Sequence, residues 1–176
     1  YQFLTPDFAI RELVRPKWQM LQALGLQSQE LEPALIQELV LLRAANRALS
    51  ATDLAAFLIA RALDAPLLTG DWRLNDLATK NGIRVHGVLW LLDEMVRFRA
   101  IAPKQAANTL NQILNQGARL PQDECRKRLA SLSKGCRHRP FAPQPGVVAQ
   151  ACPEFIERAG SDEGWRSIQA TSRVRT

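Results

Sequence analysis

The last leucine of this chain is Leu132. Residues 1–135 hold 26 leucines and residues 136–176 hold none, although the earlier rate predicts about eight there. Four prolines and three glycines fall in that final stretch, and no helical or strand period runs through it. Apolar area of that kind is what offsets chain entropy on folding. The sequence therefore divides into a foldable domain over residues 1–135 and an irregular or disordered tail over 136–176. A chain of 176 residues buries roughly 70% of its unfolded surface without help from disulfides or metals.

Composition enters as a set of exclusions. Hydrophobic residues make up 47% and charged residues 23% of the chain, which excludes whole-chain disorder. No apolar run reaches the ~18 residues of a membrane span, and Tyr1–Ile10 lacks the basic leader and apolar stretch of a secretory signal. Cys125, Cys136 and Cys152 are odd in number, no two are spaced as C-x-x-C, and only His86 and His138 stand beside them. That pattern argues against zinc and for reduced thiols in a cytoplasmic protein. A net charge of +6 favours a polyanionic partner but says nothing of fold.

Within the first 135 residues, helix-length periodic segments alternate with short apolar runs. Tyr1–Leu4 reads as a strand, and Thr5-Pro6 as a cap and first-turn proline opening a helix to about Val14. Pro16–Gln29 reads as irregular. Pro33 opens a helix to about Ala48, and Ser50-Ala51-Thr52-Asp53 has the S-x-x-D form of a capping box. Pro66–Thr69 and Ile83–His86 read as buried strands, with a helix over Trp72–Asn81 stopped by Gly82. Helices follow over Val88–Phe98, Pro103–Gln116 and Pro121–Ser133. Such alternation argues for an α/β fold with a parallel sheet.

The most informative unit is Ser50–Asp71. A helix from Asp53 to Leu63 is about 16 Å long, and the strand from Pro66 to Asp71 about 20 Å. A helix leading directly into a strand packs antiparallel to it, so Asp53 and Asp71 should approach at the carboxyl edge of the sheet, where α/β proteins bind ligands. Two adjacent carboxylates repel, and a divalent metal with oxygen preference removes that cost. Spacing alone leaves a second reading open, with Asp53 as a capping-box member and Asp71 as a turn residue.

Ser50-Ala51-Thr52-Asp53 and, eighteen residues after Asp53, Leu67-Leu68-Thr69-Gly70-Asp71 resemble the acidic core of a PIN domain. So do the continuation from Trp72-Arg73-Leu74 to Ala78 and the run from Asn81-Gly82-Ile83 through Gly87-Val88-Leu89 to Asp93. Phe3-Leu4-Thr5-Pro6 and Ile10-Arg11-Glu12-Leu13 resemble the family's second strand and the helix carrying its second acid. The likeness covers residues 1–133. It implies a helix-rich three-layer α/β/α sandwich with a short parallel sheet. It further implies a metal-dependent endoribonuclease (a hydrolase of phosphodiesters) of the kind found as the toxin of toxin–antitoxin pairs. Glu12, Asp53 and Asp71 would be the catalytic, metal-binding acids holding Mg2+ or Mn2+, the metal activating a water for attack. The implied partners are RNA, an antitoxin protein and a second copy in a homodimer, with no membrane. Thr69 stands where a small hydroxyl residue helps orient a carboxylate.

The resemblance also implies a departure. The family's first acid follows an apolar strand that is the middle one of the sheet, and no candidate precedes Tyr1. Asp7 lies in the first turn of the next helix, where it complements the helix dipole. The alternative function is therefore a non-catalytic PIN remnant acting as a binding or regulatory module. Among other residues, Asp76 and the pair Asp93-Glu94 read as solvated helix carboxylates, and Trp72 and Trp90 as packing residues. Arg119, Arg126, Lys127 and Arg128 read equally as an RNA-steering group and as a soluble helix face. Arg137, His138 and Arg139 read as a solvated basic stretch.

Overall fold

The computed structural model describes residues 1–133 and 147–149. In chain order the elements are β1 (Phe3–Pro6), α1 (Asp7–Glu12), α2 (Trp18–Ala23), β2 (Gln27–Gln29), α3 (Pro33–Ala45) and α4 (Ala51–Ala62). These are followed by β3 (Leu67–Leu68), α5 (Trp72–Lys80), β4 (Val85–His86), α6 (Val88–Arg97), α7 (Pro103–Asn115), α8 (Gln122–Ser133) and β5 (Val147–Ala149). They make a helix-rich α/β fold whose strands all pair in parallel, in the order β2-β1-β5-β3-β4. Packing divides the described residues into two units, Tyr1–Val88 with β5, and the helices from Leu89 onward.

In the first unit α4 is the central helix. Nine consecutive residues from Thr52 to Ala60 are buried, because Leu54, Ala55, Phe57, Leu58 and Ile59 leave no polar face to turn outward. It packs against α3 and α5 and against the strands β1, β5 and β3. Leu67, Leu74 and Ala78 close the same core, all at 0% exposure. Gly82 ends α5 at φ +76°, a left-handed conformation that costs glycine little.

The middle position of the sheet is filled by β5. Val147 and Val148 pair with Phe3 and Leu4 on one side, while Val148 and Ala149 pair with Leu67 and Leu68 on the other. The middle strand, which the resemblance assigns to a segment before β1, here comes from the stretch read as an irregular tail. Three residues, two of them β-branched valines, suffice because both neighbours supply ladder partners, a condition no local sequence window contains. The rest of that tail, with the basic group at 137–139, Cys136 and Cys152, lies outside the described residues.

Other differences are local. Pro6 is the last residue of β1 and the cap of α1, which ends at Glu12 because Leu13 is extended. The supposedly irregular Pro16–Gln29 contains α2 and β2. Helix α2 buries no residue, and β2 is Gln-Ser-Gln paired with β1, so neither carries an apolar period.

In the second unit α7 buries Ala106, Leu110 and Ile113 and packs against α8. Cys125 is a free thiol at 1% exposure, and burial pushes its pKa up. Asp93 and Glu94 are not a solvated face. Glu94 is 7% exposed and accepts from Arg97 Nε at 2.9 Å, while Asp93 accepts from Arg128 Nε at 2.9 Å. Pairing is what permits their burial.

Candidate acidic site at the sheet edge

Glu12 is the final residue of α1 and is exposed. Thr52, in the first turn of α4 and 2% exposed, donates its hydroxyl to Glu12 Oε1 at 2.6 Å. That bond spans forty residues of sequence and brings Glu12 to the helix start that carries Asp53. Thr52 is a site residue that sequence reading passed over. Its only signal was its place between Ser50 and Asp53, where a β-branched hydroxyl opens a helix facing inward.

Asp53 is 9% exposed. Its Oδ2 accepts from the Ser50 backbone N–H at 2.7 Å, and its own N–H donates to Ser50 Oγ at 3.0 Å. The S-x-x-D motif thus closes as a capping box. Asp71 stands just past β3 as the cap of α5, its Oδ1 accepting from Arg73 N–H at 2.7 Å and Leu74 N–H at 3.2 Å. Thr69, 8% exposed, accepts from the Asp71 backbone N–H at 3.1 Å and fixes the turn that delivers Asp71.

The local roles of Asp53 and Asp71 are therefore real. They leave acceptor capacity over, since a carboxylate has about four lone-pair sites. The structure joins Glu12 to the start of α4. It places Asp71 on a separate helix start at the carboxyl end of β3, with its oxygen on that helix's own N–H groups. Among the described residues no three His, Cys, Asp or Glu side chains stand close enough to hold one metal ion.

Two further oxygens at the carboxyl end of β1 are buried without a hydrogen-bond partner among the described residues, Thr5 Oγ1 and Asp7 Oδ1. Asp7 lies in the first turn of α1 as expected, but its oxygen is more than a surface dipole partner, since an unsatisfied buried acceptor is costly. Trp72 is no packing residue. It is 70% exposed directly after Asp71, with the Arg73 guanidinium 5.2 Å from its ring. Asp76 behaves as read, exposed and paired with Lys80 at 2.6 Å. In the second unit Arg126, Lys127 and Arg128 are each paired to acids, namely Asp123, Glu124, and Asp93 with Glu124. Little of their charge is left for a polyanion.

The sheet is all parallel, and acids stand at helix ends along its carboxyl edge. The family model described as PIN domain matches residues 1–134, and the chain belongs to the PIN-domain family. PIN domains in general have a nuclease-type fold, use divalent metals and bind RNA. No curated protein and no solved structure matches the chain. No helix of the described residues is long and apolar enough to cross a membrane.

Proposed function

We propose that this protein is a ribonuclease of the PIN type, dependent on Mg2+ or Mn2+, acting in the cytoplasm as the toxin of a toxin–antitoxin pair or a relative of one. A second copy and an antitoxin are the protein partners of that reading. The observation that carries it is the Thr52–Glu12 hydrogen bond, which ties an acid on α1 to the helix start bearing Asp53. Trp72, exposed beside Asp71, offers an aromatic face on which an unpaired base can stack.

The test is cleavage of a labelled single-stranded RNA by the full chain with Mn2+, with Mg2+ and with chelator. The expected outcome is cutting only with metal, reduced at least about a hundredfold in Asp53→Asn, a loss typical when a charge-stabilising group is removed. A second reading is favoured by the absence of a three-acid group among the described residues, namely a non-catalytic module that binds RNA. Binding without cutting under all three conditions would select it.

A further inference from the structure

The sheet is two strand pairs held apart by a third element. On its outer side β1 pairs with β2 through Leu4, Thr5 and Pro6, and β3 pairs with β4 through Leu67 and Leu68. The inner edges of β1 and β3 do not meet, because β5 lies between them, which sets them about 10 Å apart at the usual strand spacing. Those edges are ready for a strand. The N–H groups of Leu67 and Thr69 donate to the Arg84 and His86 carbonyls at 2.8 and 3.0 Å. Peptide groups alternate sides along a parallel strand, so Leu68 between them turns its N–H toward β5. The acids hang on both halves. Helix α1, ending in Glu12, follows β1 directly, and Asp71 caps the helix that follows β3. Helix α4 packs on both halves, but among the described residues β5 is what joins them within the sheet.

We propose that the space between β1 and β3 is a peptide-binding site, and that its filling sets the spacing of Glu12 and Asp71. Its ligand is an extended segment running parallel to both edges, with adjacent β-branched residues. In this chain the bound segment is β5, which makes two register pairs with β1 and two with β3, Val148 taking one on each side. Recognition is by main-chain hydrogen bonds, as in strand addition to a sheet edge, here with two edges instead of one. A three-residue strand from a stretch without an apolar period holds its place through those bonds, so the same peptide supplied separately should replace it. The claim on the acids rests on the nuclease reading, and the claim on the peptide site does not.

The test uses the full chain with Val148→Pro, which breaks the ladder at its doubly paired residue. Amide exchange at Leu68 should be at least about tenfold faster than in the parent. A synthetic peptide of residues 143–151, raised to about 1 mM to match the effective concentration of a tethered segment, should slow that exchange again in a saturable way. A scrambled peptide should not. Val148→Ala keeps the ladder and lowers β propensity, so it should show the same effects to a smaller extent and serves if the proline variant does not fold. Cleavage of single-stranded RNA with Mn2+ should follow Leu68, lost in Val148→Pro and regained with the peptide. Exchange at Leu68 indifferent to both substitutions, or no slowing by the peptide, or equal slowing by the scrambled one, would overturn the peptide site. Leu68 protected again while no sample cleaves, the parent included, would sink the nuclease reading and leave the peptide site standing. Parent-like cleavage by a variant whose Leu68 exchanges fast would overturn the claim on the acids.

Discussion

Thr52 is a buried hydroxyl that donates to an exposed carboxylate. That asymmetry sets the expected cost of removing it. Thr52→Val keeps the shape and leaves Glu12 in water, so only the charge-assisted bond is lost, about 1–2 kcal/mol by denaturant unfolding. Thr52→Ser should recover most of it. Combined with Glu12→Gln, Thr52→Val should cost less than the sum of the two single changes, because both remove the same bond. Additive losses would show that the bond does not couple α1 to α4.

Glu38 and Arg61 form another long-range polar link of the first unit. The hydrogen bond from Arg61 holds the Glu38 carboxyl below its ordinary value, with burial opposing. A depressed folded pKa means the contribution is present above the unfolded value and lost as pH falls through the folded one. Both side chains are 37% exposed, so screening keeps the contribution below about 1 kcal/mol. Glu38→Gln should therefore melt slightly lower than the parent at about pH 7, and the gap should narrow as the pH falls through the folded carboxyl's depressed range. A gap that widens in acid would mean the pair is not what stabilises that face.

At the scale of elements, capping and pairing did different amounts for each piece. Helix α4 was legible because its start is written locally, as Ser50 and Asp53, and its apolar run is unbroken. Likewise α7 announced itself by Pro103 and buried positions at 106, 110 and 113. Strands β2 and β5 were illegible because their identity is conferred by neighbours. Val148 pairs with both Leu4 and Leu67, so Val148→Pro removes a ladder donor from a central strand, where proline is not tolerated. The expected result is faster amide exchange at Leu67 and Leu68 and a stability loss of about 3 kcal/mol. Unchanged protection there would place β5 outside the cooperative sheet.

The whole molecule carries a net charge of +6, yet the basic residues of α8 are spent on acids of the second unit. Charge and stacking can be separated by salt. Affinity for a single-stranded RNA should fall as salt rises, since each phosphate contact releases counterions. Trp72→Ala should weaken binding by about 1–3 kcal/mol at every salt concentration and leave the slope unaltered, because a stacked base carries no counterion. A changed slope with unchanged affinity would assign the effect to Arg73 beside it.

What the sequence determined by itself was everything set within a few residues. The capping box at Ser50–Asp53, the turn from Thr69 to Asp71 and the glycine stop at Gly82 are each closed by hydrogen bonds or φ values that local chemistry dictates. Helix–strand alternation and the order of the acidic motifs gave the α/β class and the PIN resemblance on the same local terms. Tertiary structure alone decided what depends on distant partners. It set Thr52 against Glu12, turned Trp72 outward and left Asp7 with a buried oxygen unmatched among the described residues. It also drew a leucine-free segment into the middle of the sheet, because a strand of three residues is stabilised by its two neighbours and not by its own composition.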